Sequence, residues 1–151
     1  MGRSRDKLKV CVDADVIFAG AAAPTEQGAS HVVLQMGEIT LIECVSSEQA
    51  VKEVERNLAN KIPAKLPEFH LLVRRSLHIV GDPQPGDLAA YKGQADPKDL
   101  PILVAAMKEG CSHLLTFNVR HFTPTSPKIT VQPPNGFLLT VRSLLGMLEG
   151  R

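Results

Sequence analysis

The sequence predicts an α/β fold: three layers, α/β/α, around a central parallel sheet of about five strands. Three observations predict it. Short apolar runs alternate with segments of helical spacing from one end of the chain to the other. The opening run, Val10-Cys11-Val12, is continuous rather than alternating, as expected for a strand covered on both faces. The length, 151 residues, fits one domain, expected over 1–151 with about 1–7 as a flexible N-terminal extension. A chain of this size buries roughly 68% of its unfolded surface, enough for a core without metal or disulfide staples.

The first element spans Leu8 to Phe18 and reads as a buried strand ending near a carboxylate. Small residues follow to Ala23, and Pro24 breaks the run. A helix is expected from about Thr25 to Met36, with Ala29, Val32, Val33 and Met36 inward and Gly37 as its stop. Ile39 to Val45 is the second strand. Ser46-Ser47-Glu48-Gln49 has the form of a capping box and opens a helix to about Ala59, with the stripe Ala50, Val51, Val54, Leu58. A further helix fills Leu66 to Ser76, and Leu77 to Val80 is a short strand. Gly81 to Gln94, rich in Pro and Gly, is a loop with room for one helical turn. Asp96-Pro97 opens a helix to about Glu109, stopped by Gly110; if Pro101 pushes the start later, Asp99 is the cap instead. Leu114 to Phe117 is the fourth strand and Ile129 to Val131 the fifth. A helix from about Asn135 to Leu148 closes the chain. These alternations give a parallel sheet with helices on both faces.

Composition narrows the function classes. Hydrophobic residues are 44% and charged residues 22%, which is globular rather than disordered. Aromatics are 4%, with no Trp and one Tyr, which argues against a stacking platform for single-stranded nucleic acid. A net charge of +1 is low for a protein that grips nucleic acid by bulk charge. Cys11, Cys44 and Cys111 are odd in number, widely spaced and beside apolar runs; they read as reduced buried thiols of a cytoplasmic protein. No signal peptide or membrane span is expected, because Asp13 and Asp15 interrupt the run from Val10 to Gly20. The histidines have neither zinc-finger nor H-E-x-x-H spacing.

In open parallel sheets, sites lie beyond the carboxyl ends of the strands. Asp13 and Asp15 close the first strand, Asn118 follows the fourth, Asp96 and Asp99 start the helix before it, and Glu53 rides the helix after the second. Asp99 shares a helical face with Ile102, Leu103 and Ala106, and a carboxylate on a buried face needs a partner or a metal. Few cations are placed to balance the group, so hard oxygen ligands gathered this way suit Mg²⁺ or Mn²⁺. Such an ion supports in-line phosphoryl displacement, which points to a phosphodiesterase or phosphatase. Simpler roles exist beside these: Asp96 as an N-cap, Asp15 as a turn residue, Glu53 as an ordinary helix flank.

Four segments resemble the PIN-domain nucleases, in order: Val12 to Ile17, Ser47 to Leu58 with Glu53 inside, Asp96 to Ala106, and Leu114 to Phe122. The resemblance implies a five-stranded parallel sheet and cleavage of single-stranded RNA with Mg²⁺ or Mn²⁺. It implies Asp13, Glu53 and Asp99 as metal ligands, with Asp96 and Asn118 completing the shell. Many members carry Asp where this chain has Asn118, so one negative charge is missing. It further implies Thr116 as a residue orienting water, and Arg120 and His121 as contacts to a substrate phosphate; ordinary turn cations are the alternative for the last two. Many small prokaryotic members are toxins, so an antitoxin-like inhibitory partner and a homodimer are expected. A non-catalytic PIN-like module binding RNA or a partner is the alternative, carried by Asn118. A haloacid-dehalogenase-like phosphatase, with Asp13 as nucleophile and Asp15 as acid/base, is the other. No lysine is convincingly placed for it.

Overall fold

The computed structural model describes residues 7–22 and 28–149. The expected N-terminal extension falls largely on residues 1–6, and the start of the expected second helix on residues 25–27; both lie outside the described residues. Five strands form one parallel sheet: β1 (Lys9–Val12), β2 (Glu43–Ser47), β3 (Leu77–Val80), β4 (His113–Leu115) and β5 (Thr130–Gln132). Their order across the sheet is β3-β2-β1-β4-β5. The helices are α1 (Ala14–Ala22), α2 (Ala29–Glu38), α3 (Glu48–Lys61), α4 (Leu66–Ser76), α5 (Pro85–Ala89), α6 (Leu100–Lys108) and α7 (Pro134–Glu149). This is the predicted PIN-like α/β/α fold.

The core runs through β1 and β4, where Val10, Cys11, Val12, Leu114 and Leu115 are fully buried. Cys11 Sγ faces the Ile102 carbonyl of α6, and Cys44 Sγ faces the Val33 carbonyl of α2. All three cysteines are free and buried, as expected of structural thiols. Among the described residues no helix is long and apolar enough to cross a membrane.

The first element is where the structure departs most from the sequence reading. The strand stops at Val12, and a helix begins at Ala14 rather than a strand continuing to Phe18. The Asp13 amide donates to the Leu115 carbonyl, the last rung toward β4, while the Asp13 carbonyl accepts from Val16 and Ile17. Asp13 Oδ1 accepts from the Ala14 amide at 2.8 Å. One residue thus ends a strand and starts a helix. Val16 and Ile17 fit either period, as short apolar runs do.

Other boundaries shift by smaller amounts. The second strand starts at Glu43 instead of Ile39, because Thr40 takes φ 60° and the turn returns the Leu41 and Ile42 amides to the Met36 carbonyl. The helix cap is Ser47, whose hydroxyl accepts from the Ala50 amide; Ser46 instead donates to the Val12 carbonyl inside the sheet. The helix expected from Asp96 starts at Leu100, so the later start set by Pro101 is the one adopted. α4 and β3 lie where the sequence placed them.

Gly37 does not end α2, which continues to Glu38. A Cβ there would meet the Ser76 carbonyl oxygen at 2.8 Å and Cys44 Sγ at 2.9 Å. The glycine allows α2 to lie against the end of α4 and against β2. Ala in a helix interior gains about 1 kcal/mol over Gly, but overpacking costs about 1–3 kcal/mol, and a carbonyl cannot swing away as a side-chain tip can. Gly37→Ala is therefore expected to lower stability by roughly 1–2 kcal/mol in urea unfolding; a gain in stability would show that α2 is free to shift.

Candidate active site

The site forms at the carboxyl ends of β1 and β4, where the strand order reverses direction. A cavity of about 240 Å³ opens there, lined by Asp13, Asp15, Glu53, Lys98, Asp99 and Asn118, with Ser47, Gln49 and Ala50 from the start of α3. Each side chain arrives by a separate local device. Asp13 ends β1, Asp15 sits in the first turn of α1, and Glu53 is exposed on α3 one turn after Gln49. Asp99 occupies the N-cap position of α6 without using its side chain as a cap.

Thr116 ties β4 to the two N-terminal carboxylates. Its hydroxyl lies 2.9 Å from Asp13 Oδ2 and 3.3 Å from Asp15 Oδ2, and its oxygen accepts from the Asn118 amide at 3.1 Å. Asp15 Oδ2 also accepts from the Phe117 amide at 3.0 Å and from Asn118 Nδ2 at 3.3 Å. Asp15 Oδ1 is buried and, among the described residues, has no hydrogen-bond partner. An ionised oxygen left so costs several kcal/mol unless a cation or proton meets it.

A second knot joins the opposite wall. His121 Nδ1 lies 2.9 Å from Asp99 Oδ2 and 3.6 Å from Asp96. An ionised carboxylate can only accept, so the Nδ1 nitrogen carries the proton of the Asp99 bond. The Asp96 amide donates to the His121 carbonyl, and Ala95 and Phe122 form an antiparallel bridge.

The predicted residues divide accordingly. Asp13, Glu53, Asp99 and Asn118 line one cavity. Asp96 stands outside that lining but forms, with Asp99 and His121, a group whose ligand atoms all lie within 4.8 Å of one another. Thr116, expected to orient water, is fully buried and its hydroxyl is taken up by Asp13 and Asp15, which places it to position those carboxylates. Arg120 is exposed and does not line the cavity. His121 faces Asp99 rather than standing as a free turn cation. Asp15, which the sequence placed in the acidic group but outside the expected metal ligands, with a turn residue as the simpler alternative, lines the same cavity. Strand spacing would put it beside Asp13; in the structure the chain turns into α1 at Ala14, and the bonds from Thr116 and the Phe117 amide hold Asp15 at the same cavity.

The electrostatics are those of a group assembled to receive a cation. Burial, then the neighbouring Asp15 and more weakly Asp99, push the Asp13 carboxyl up from 3.8 to about 6, against the bonds from Ala14 and Thr116. Burial also raises Asp15, with the Phe117 amide among the bonds that oppose it. Within the cavity only the Lys98 ammonium is of opposite sign. An orphaned buried carboxylate oxygen among all-oxygen donors fits Mg²⁺ or Mn²⁺, and the imidazole behind Asp99 fits the role of a group that orients a ligating carboxylate.

The PIN domain family model matches residues 9–120. The chain belongs to the PIN-domain family. The match takes in the first knot whole and, of the second, Asp96 and Asp99, ending one residue before His121. Among solved structures, the PIN fold here is similar to a chain of the VapBC2 structure from Rickettsia felis bound to a DNA fragment from their promoter. The TM-score is 0.60 at 13% identity, covering 83% of this chain and 98% of that chain. A search of curated proteins finds no match.

The raised Asp13 carboxyl gives a pH test on the metal-free protein. Below about pH 3.8 this group is neutral both folded and unfolded, and its contribution to stability is intact. As pH rises through about 6 the folded carboxyl must ionise in its burial site, and that contribution is lost, roughly 3 kcal/mol for the full shift. In EDTA, Asp13→Asn should therefore match the native protein near pH 4 and match or exceed its melting temperature at pH 7. A variant less stable than native at pH 7 would assign Asp13 a structural role.

Proposed function

We propose that this PIN domain is a divalent-metal-dependent endoribonuclease hydrolysing single-stranded RNA phosphodiesters. The observation that carries the reading is the cavity in which Asp13, Asp15, Glu53 and Asp99 converge, with Asp15 Oδ1 buried and unmatched. Asp13, Asp99 and Glu53 would hold Mg²⁺ or Mn²⁺, with Asp96 and Asn118 completing the shell directly or through water. When bound, the ion supplies Lewis-acid stabilisation of the phosphoryl oxygens and a more acidic water.

The chain's own groups do the rest. Thr116 and the Phe117 amide fix the Asp13 and Asp15 carboxylates before substrate arrives, so no reorganisation is needed at reaction. Glu53, exposed at the cavity wall, is placed to accept a proton from the attacking water. His121 holds Asp99 in its ligating orientation, and Lys98 is placed to meet a substrate phosphate. Asn118 contributes an amide donor to Asp15, a bond that an ionised Asp at that position could not make. Asn118 is therefore compatible with a charge-reduced site as well as with the non-catalytic alternative.

As for partners, the likeness to a chain of the VapBC2 structure supports a toxin role with an antitoxin-like inhibitory protein. The buried thiols fit a reducing cytoplasm. A homodimer is proposed through α7, which leaves Leu139, Leu144, Leu145, Met147 and Leu148 exposed. Sedimentation of a Leu145→Asp/Leu148→Asp variant should then give the monomer mass; native protein sedimenting as a monomer at high concentration would end this part of the proposal.

The deciding experiment is cleavage of mixed-sequence single-stranded RNA with Mn²⁺, with Mg²⁺ and with EDTA. Native protein and Asp13→Asn run together, with p-nitrophenyl phosphate as control. Metal-dependent cutting lost in the variant is expected. Turnover of the monoester alone would favour the phosphatase; silence on both with metal still bound would favour narrow substrate specificity, and silence with no metal binding the non-catalytic module.

Removing the imidazole behind Asp99 should weaken the metal without unfolding the protein. His121→Ala is expected to lower Mn²⁺ affinity by about 10- to 100-fold in calorimetric titration. An unchanged affinity would leave the second knot as a loop clasp only.

A further inference from the structure

Beyond the acidic cavity the cleft does not end. A second cavity of about 170 Å³ shares Ala14, Asp15 and Glu53 with the first and continues between α1 and α3, reaching Phe18, Asn57 and Lys61. Gln49, Glu53, Asn57 and Lys61 are spaced at successive four-residue steps on α3, so they form one stripe along the cleft floor. From Glu53 to Lys61 the helix rises about 12 Å.

The chemistry changes along this stripe. Around Asp13, Asp15 and Glu53 the lining is carboxylate, hostile to a polyanion unless a cation is bound. Past Glu53 the side chains on α3 are an amide and an ammonium. Lys61 Nζ lies 5.6 Å from the centroid of the half-buried Phe18 ring, a cation–π contact that holds the charge over the cleft instead of leaving it to sweep through solvent. Among the described residues Lys61 forms no salt bridge, so its charge is not consumed locally.

We propose that the α1–α3 seam is a subsite for the RNA backbone, in which Asn57 and Lys61 hold a phosphate a few nucleotides from the one that is cut. This deepens, and rests on, the ribonuclease reading. At about 3.4 Å per nucleotide of stacked strand, about 12 Å spans three or four nucleotides, and fewer if the strand is extended. A bound substrate would thus cross the acidic centre, where Lys98 is the one cation of the lining among the described residues, and be gripped on this side by a second positive charge. Grip from one or two such residues suits a protein of net charge +1 better than a broad basic face does.

The test is steady-state cleavage of a 12-nucleotide single-stranded RNA with Mn²⁺ across a salt series, beside equilibrium binding of the same RNA by fluorescence anisotropy. Lys61→Gln should raise KM and Kd roughly tenfold, with kcat within roughly twofold. The slope of log(kcat/KM) against log[salt] should become shallower by about 0.7, the share of one phosphate contact on a single strand. Lys61→Arg should restore the slope. Asn57→Ala should raise KM with the slope unchanged, and it reads the seam even if Lys61→Gln disturbs the end of α3. A merely structural Lys61 would change the melting temperature and leave the salt slope alone. RNA cut and bound by Lys61→Gln with native KM, Kd and slope would overturn the subsite and leave the nuclease standing. RNA neither cut nor bound by the native protein would overturn both.

Discussion

The site depends on a single rung, the Asp13 amide donating to the Leu115 carbonyl between β1 and β4. That bond is the last backbone-to-backbone bond before the two strands part, with α1 leaving to one side and the Thr116–Asn118 turn to the other. The sheet order changes direction at this seam, with β2 and β3 on one flank and β5 on the other. Two backbones that diverge leave a crevice, and the crevice is where these carboxylates sit. Thr116, the first residue after β4, then bonds across the gap to Asp13. Strand termination and side-chain placement are therefore one event.

That arrangement trades stability for readiness. Asp13 and Asp15 are buried near each other with Asp99 close enough to be felt, and the fold tolerates this because the Ala14 and Phe117 amides and the Thr116 hydroxyl offset part of the desolvation. Backbone donors in regular positions do not relax when charge changes, so the carboxylates keep their places. The uncompensated remainder is what a cation would relieve, which links metal affinity to the destabilisation of the empty fold.

The sequence made the architecture readable because buried parallel strands leave a distinctive trace: Val10 to Val12 and Leu114-Leu115 are apolar without alternation, and the edge strand Leu77 to Val80 is interrupted only by His78. α4 and β3 were legible to the residue, flanked by Pro63 and Gly81. The misreadings lie where local propensity is silent. Val16 and Ile17 suit a strand as well as a helix, and only the tertiary bond at Asp13 chooses. Ser46 and Ser47 both offer a capping hydroxyl, and strand register decides which one points into the sheet. Gly37 looked like a helix stop because close approach by a distant carbonyl leaves no mark in the neighbouring residues. In the site, carboxylates at strand ends were readable from order alone. The His121–Asp99 contact was not, since it depends on how a 3₁₀ turn at Val119–His121 folds back on the 95–99 segment, nor was the burial of Thr116, which depends on its bonds to Gln132 of β5 and to Asp13 across the sheet.

That fold-back has an evolutionary consequence. The Ala95–Phe122 bridge, the Asp96-to-His121 amide bond and the Thr123-to-Gln94 bond lace two distant loops into a miniature antiparallel ladder outside the main sheet. The stretch between β3 and Gln94 is closed at its base by this ladder and pinned elsewhere at a few points: Asp82 on the Gln49 amide, Asp87 on Lys108, and Leu88 and Tyr91 against the core. Because lengthening a closed loop adds entropy cost only logarithmically, the exposed positions between these pins, such as residues 84–86 and 89–90, are where length and sequence can vary with least effect on Asp99. The clasp separates a part of the molecule that must stay fixed from a part on which natural selection can experiment.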